Sequence, residues 1–260
     1  MFGEWVAALE ARHLSDLRVQ EVTRALRAVS SAYVGRRREA VHRTLDSAGK
    51  RAAFALFYAP LHFLATYLVV RALGADRPAP RALLDLGCGT GAAGAAWAVA
   101  AGGTRPVTGI DRHPWAVDEA KRTYRELGVN GRARRGDVAR LPPMPPATAV
   151  VAAYLLNELP AAVREPLEGR LIDAAGRGVS VLIIEPISRS ISPWWDATAS
   201  RMAAAGGRAD EWRFLVDLPP LIQLLDKAAG LDHRELTVRS LYCSGHSGQN
   251  ARPQATDSTC

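Results

Sequence analysis

Only three cysteines, Cys88, Cys243 and Cys260, occur among 260 residues, and none forms a CxxC pair. Thiols so far apart exclude a disulfide scaffold and offer no zinc or iron–sulfur site that this chain holds alone; no metal is expected. Lysine is equally rare: it supplies three of the 33 basic residues, and arginine the other 30. The opening residues MFGEWVAALEARHL lack the basic-then-apolar order of a secretory leader, so a reducing cytoplasm is the expected location. Glycine and proline are missing between Glu4 and Val34, which leaves a long stretch free to be helical. One long run lacks formal charge, residues 52–70. Its nineteen residues reach the lower bound for a spanning helix, but Tyr58, Pro60, His62, Thr66 and Tyr67 interrupt it. It is expected to form one or two buried helices rather than to enter a membrane.

What is present is material for a sizeable core, 48% hydrophobic residues, under a net charge of +7 and a pI of about 9.8. A basic surface of this kind permits contact with RNA or a ribosome by phosphate neutralisation. Trp5, Val6, Leu9, Leu14, Leu17, Val22, Leu26 and Val29 recur at three- and four-residue spacing, which predicts helix from residue 1 to about 50. Gly35 interrupts the run, and Arg36-Arg37-Arg38 reads as a solvated turn. Residues 1–80 are expected to form a helical lid region, with 74–80 (GADRPAP) as its linker.

From Arg81 the pattern changes. Strands are predicted at 82–86, 106–110, 132–135, 147–155, 179–185 and 235–243, and helices at 92–101, 116–127, 160–175 and 220–229. Such alternation implies an α/β fold, a doubly wound, mostly parallel sheet over residues 81–243. Only one strand is expected after the fifth. Residues 244–260 have almost no apolar residues and are expected to be a disordered tail that includes His246.

The central motif is Asp85-Leu86-Gly87-Cys88-Gly89-Thr90-Gly91, between a strand and a helix. Glycines there let the chain turn tightly and a ligand approach the backbone, while the helix amino terminus offers free N–H groups. Gly89, Gly91 and Gly94 also satisfy GxGxxG, which dinucleotide sites share. Asp85 separates the two readings. A pyrophosphate is repelled by an acid at the strand end, whereas the ammonium group of S-adenosylmethionine is attracted by it. Two more acids follow. Asp111 ends the second strand twenty residues after Gly91, beside Arg112, at the spacing where a carboxylate meets ribose hydroxyls. Asp137 precedes Val138, an acceptor for an adenine amino group next to an apolar contact for the ring.

DLGCGTG, GID, GDV and the apolar AVVAAYLLNEL, in that order, resemble the class I S-adenosylmethionine-dependent methyltransferase superfamily over residues 81–188, and more loosely to 243. The resemblance implies a seven-stranded Rossmann-like sheet with the cofactor across the carboxyl ends of the first strands. Its candidate contacts are Asp85, Gly87, Cys88, Gly89, Gly91, Asp111, Arg112, Asp137, Val138 and Tyr154. AYLLNEL followed by Ile184-Glu185-Pro186, with the 58–67 region before the glycine loop, is similar to a narrower family. These are the methyltransferase-like proteins associated with the mitochondrial small ribosomal subunit, and their bacterial relatives. That similarity implies a ribosome or ribosomal RNA partner. The family's metal-binding cysteine cluster has no counterpart, since residues 187–220 contain no cysteine.

Methyl transfer from a sulfonium needs alignment more than a dedicated acid or base, and no catalytic residue is identified. After the fourth strand the chain lacks both the Asn/Asp-Pro-Pro-Tyr/Phe motif that grips a flipped base and a Pro-Cys pair. Three readings stay open. One is a methyltransferase of ribosomal RNA or a ribosome-associated substrate. Another is a small-molecule methyltransferase whose N-terminal helices cover an apolar pocket lined by Tyr58, His62, Tyr154, Asn157 and Trp194-Trp195. The third is a cofactor-binding assembly module without activity.

Overall fold

A computed structural model describes residues 1–34, 45–141 and 144–245. The Arg36-Arg37-Arg38 triplet, Gly35, His246 and the tail after residue 245 lie outside the described residues. The chain begins with helices α1 (Phe2–His13), α2 (Val19–Val34) and α3 (Ala48–Leu73). It then alternates β1 (Ala82–Leu86), α4 (Ala92–Ala100), β2 (Val107–Asp111), α5 (Pro114–Glu126), β3 (Gly131–Arg135), β4 (Thr148–Ala153), α6 (Ala161–Ala175) and β5 (Ser180–Pro186). Last come α7 (Trp195–Ala204), β6 (Arg208–Leu215), α8 (Pro220–Ala228) and β7 (Glu235–Cys243).

The strands form one seven-stranded sheet in the order β3-β2-β1-β4-β5-β7-β6. β7 runs antiparallel to both its neighbours, and the other pairings are parallel. The chain thus leaves β1 first to one side and then, at β4, to the other, which opens a crevice at the carboxyl ends of these strands. Two apolar cores flank the sheet. One joins the N-terminal helices, α4 and α5 to the sheet; the other lies under α6 and α7.

Three expectations need correction. The first fifty residues do not form one helical run. Ser15 Oγ donates to the Arg12 carbonyl (3.0 Å) and Glu21 accepts from the Arg18 N–H (2.8 Å), so side-chain hydrogen bonds to the backbone end α1 and begin α2. The sheet has two strands after the fifth: β6 (RADEWRFL) is an edge strand paired only with β7, and its alternating exposure masks its two apolar anchors, Trp212 and Phe214. Helix α7 was also not anticipated. It lies in the second core, with Trp195 and Met202 buried.

Residues 48–73 form a single helix, long and apolar enough by length and composition to cross a membrane, and 67% of its most apolar window is buried in the protein. Phe54–Tyr58 is a π turn in which Ala59 N–H reaches back to the Phe54 carbonyl. Pro60 follows at once and has no N–H to give, so the ladder is already altered where the proline needs it. α3 packs along α4. α1 is clamped to α5 by Arg12, which reaches Glu119 (2.5 Å) and Glu126 (2.6 Å).

Candidate functional site

A cavity of about 540 Å³ lies at the carboxyl ends of β1, β4 and β5, beneath α3. Its volume is that of an ordinary small-ligand site.

One wall grows from the glycine loop. Gly89 has a left-handed backbone (φ +51°), and the nearest atoms to a Cβ built there are those of the Phe54 ring across the cavity, at 3.7 Å. Any longer side chain would occupy the space, which makes this a cradle for a ligand against bare backbone. The Gly89 N–H donates to Asp111 Oδ2 (2.9 Å), and the His113 N–H donates to Asp111 Oδ1 (2.8 Å). Each carboxylate oxygen keeps a lone pair for ribose hydroxyls. Asp85 is almost fully buried and accepts the Gly94 N–H (2.8 Å), tying the strand end to α4. Burial raises its pKa to about 7; the Gly94 hydrogen bond opposes that rise and the Asp111 charge adds to it. Asp137 is exposed and caps the short turn Val138–Arg140 through the Ala139 N–H (2.9 Å), with Val138 buried beside it.

The facing wall is aromatic. Phe54, Tyr58, Leu61, His62 and Ala65 reach the cavity from α3 at helical spacing, and Phe57 joins them through the π turn. Tyr154, with a left-handed backbone (φ +56°), stacks on His62 at 3.8 Å and 15°. Enclosure pushes the His62 pKa down to about 3, so its ring is neutral, and it pushes the Tyr154 hydroxyl up. Tyr58 Oη meets Ser30 Oγ of α2 at 2.9 Å.

The link between the AYLLNEL and IEP segments is physical. Glu185, fully buried, accepts from the Leu156 N–H (2.8 Å) and the Asn157 N–H (3.3 Å). It thereby holds the turn Leu156–Glu158 that sets Asn157 and Glu158 in the wall. Burial lifts its pKa to about 8, against both hydrogen bonds. Asn157 Oδ1 is buried and has no hydrogen-bond partner among the described residues, a vacant acceptor in the cavity wall.

Of the residues expected at the site, Asp85, Gly87, Cys88, Gly89, Asp111, Arg112, Asp137, Val138, Tyr154, Tyr58, His62 and Asn157 come together around this one cavity. Two do not. Gly91 lies behind the wall, where a Cβ would stand 2.8 Å from Tyr124 and 3.0 Å from Ala120, so it allows α4 to close on α5 rather than touching a ligand. Trp194 caps α7 and packs under Arg164 (5.3 Å) in the second core; the unforeseen helix turns it and Trp195 away from the cavity. Sequence reasoning missed Phe54, which helical spacing from Tyr58 and His62 would have found, and Phe57, which only the π turn brings to the wall. It also missed His233, Leu236 and Val238, which no local signal marks.

The donor set suits S-adenosylmethionine: a buried acid at the strand end, a bare-backbone cradle, a second acid at the next strand end, and an acid–valine pair beyond.

Residues 83–169 match a family described as methyltransferase domain. No curated protein matches the chain in sequence. Among solved structures, a candidate O-methyltransferase from Nostoc punctiforme superposes with a TM-score of 0.52 at 16% identity, over 88% of this chain and 74% of that one. Magnesium protoporphyrin IX methyltransferase from Synechocystis, solved with S-adenosylmethionine bound, gives 0.47 at 16% identity, over 88% and 99%. A candidate RNA methyltransferase from Pyrococcus horikoshii gives 0.45 at 14% identity, over 71% and 84%. At these identities the likeness is one of fold.

Proposed function

We propose that the chain, whose residues 83–169 match a methyltransferase domain, is a class I S-adenosylmethionine-dependent methyltransferase that methylates a small, largely apolar acceptor held inside the cavity. One observation carries this reading. The wall that faces the glycine loop is rich in apolar side chains, Phe54, Phe57, Leu61, Leu236 and Val238, drawn from α3 and β7. Such a wall suits the body of a small organic molecule.

When bound, the cofactor supplies a methyl group already activated on sulfonium. The chain's own residues then hold and exclude. Asp111 takes the ribose hydroxyls, Asp137 the adenine amino group, and Val138 the ring face. Asp85 draws the ammonium end into the buried strand terminus. The aromatic face of α3 keeps water from the acceptor and aligns it, which is where much of the rate comes from. The free Asn157 Oδ1 offers one polar anchor.

A second reading has its own observation. Edge strand β3 carries exposed Arg132, Arg134 and Arg135, and the chain runs from it directly into Gly136 and Asp137 of the cavity wall. A basic edge beside the cavity suits an RNA backbone, in keeping with the resemblance to ribosome-associated methyltransferases. Incubation with radiolabelled cofactor and a fractionated cell extract separates the two. Label is expected in the small-molecule fraction. Label confined to RNA, lost as salt is raised, would replace the first reading with the second. Tight cofactor binding with no label in any fraction would leave only a binding module.

A further inference from the structure

Three histidines border the cavity, His62, His113 and His233; the buried Nδ1 of His113 has no hydrogen-bond partner among the described residues, and the surroundings of the other two differ. His62 is stacked against Tyr154 inside the aromatic wall, where enclosure disfavours a charged ring. His233 lies in the loop between α8 and β7 and also lines the cavity. Its Nδ1 is 2.5 Å from Asp226 Oδ1, and its backbone N–H donates to Asp226 Oδ2 (2.8 Å). Asp226 is on α8 with its side chain 7% exposed, against 35% for His233. A carboxylate only accepts, so it fixes the proton on Nδ1 and leaves the Nε2 lone pair free. Nε2 has no hydrogen-bond partner among the described residues. Phe57 lies edge-on to the ring at 5.7 Å, holding its orientation from α3.

We propose that His233, oriented by Asp226, is the catalytic base of this site and takes the proton from a phenol-like hydroxyl on the acceptor, so that the enzyme is an O-methyltransferase. This rests on the small-acceptor reading above. The acceptor O–H bond breaks and its proton goes to Nε2. The freed oxygen pair forms the O–CH₃ bond as the sulfonium methyl bond breaks, its electron pair going to sulfur. Asp226 holds the imidazole in the orientation and tautomer that present Nε2 to the acceptor; His62 has no such partner. The other charged groups around His233 are already engaged. Asp232 pairs with Arg234, Glu235 with Arg213, and Arg27 of α2 holds the Ala228 carbonyl at the end of α8. Tyr58, across from Phe57, is bonded to Ser30.

The test uses 4-nitrophenol, whose ionised form is seen directly by its visible absorbance. Wild-type protein should bind it as the phenolate at a pH where it is neutral in water. His233→Asn retains a side-chain donor for Asp226. It should bind the same probe with the ionised fraction lowered about tenfold or more, while the thermal midpoint and the affinity for S-adenosylhomocysteine stay unchanged. Equal ionisation in both proteins would overturn the base and leave the small-acceptor reading standing. Failure of both to bind the probe would overturn the two together. Should the variant not fold, the imidazole nitrogen resonances of wild-type protein carry the same information: probe binding must protonate Nε2 of His233, and an unchanged Nε2 signal would sink the proposal.

Discussion

Along the glycine-loop wall, Asp85, Gly87, Cys88 and Gly89 reach the cavity within one turn of chain, whereas the facing wall gathers side chains from α2, α3, the turn after β4 and the start of β7. The first wall is made of backbone amides and the carboxylates that receive them: Asp85 from Gly94, Asp111 from Gly89 and His113, Asp137 from Ala139. The second is made of rings, Phe54, Phe57, Tyr58, His62 and Tyr154, held by contact with one another. Local hydrogen bonding makes the cofactor side sensitive to single residues. Distributed packing makes the facing wall depend on how whole helices sit.

The largest effect should come from the support of the first wall. Gly91→Val puts a branched side chain at φ +78° and within 3 Å of Tyr124. Backbone strain and overpacking together should cost roughly 2–6 kcal/mol, seen as a lower urea midpoint. An unchanged midpoint would mean that α4 and α5 can part without loss, and that the loop is less rigid than the comparison requires.

Asp111→Ala should leave the fold intact and weaken S-adenosylmethionine binding about ten- to a hundredfold, from the loss of charge-assisted hydrogen bonds worth roughly 1.5–3 kcal/mol. Calorimetry reads this directly. Equal affinity would reduce Asp111 to a clamp for the Gly89 amide.

The smallest and most specific effect is in pH. Burial raises the Asp85 pKa from 3.8 to about 7. An ammonium group favours the ionised form, so cofactor binding should expel a proton below pH 7 and weaken by up to about tenfold per pH unit on acidification. Above pH 7 the dependence should flatten. For folding the sign is reversed. The raised pKa means that the neutral carboxyl suits the folded state, so this group's contribution is fully present below pH 3.8 and is lost as pH rises to about 7. Asp85→Asn should therefore make cofactor affinity pH-independent in this range and raise the thermal midpoint of the free protein at pH 8 but not at pH 3.5. Cofactor affinity in wild type that ignores pH would remove Asp85 from the ammonium end.

Legibility followed the same division. β1 and the glycine loop appear at their expected positions because a short apolar run, an acid and closely spaced glycines allow few other conformations. The predicted helices over 160–175 and 220–229 differ from the observed α6 and α8 by one residue at one end each. β6 was hidden because its charges, Arg208, Asp210, Glu211 and Arg213, outnumber its apolar anchors, and only pairing with β7 makes it a strand. Trp194 looked like a pocket residue because two adjacent tryptophans after a strand suggest a binding wall, yet their direction depends on a helix whose start has no capping signal.

What the order of residues determined alone is the cofactor wall, since turn geometry and strand ends act over a few bonds and need no distant partner. The facing wall was decided by tertiary structure. Residues 54–62 and 231–238 meet only because α3 lies along α4 and β7 inserts beside β5. The pairing of His233 with Asp226 likewise exists only because α8 turns back on the loop that follows it, with the Leu231 N–H returning to the Asp226 carbonyl (2.9 Å). Side chains that become neighbours through packing leave no periodic trace along the chain, because nothing in their local spacing has to match.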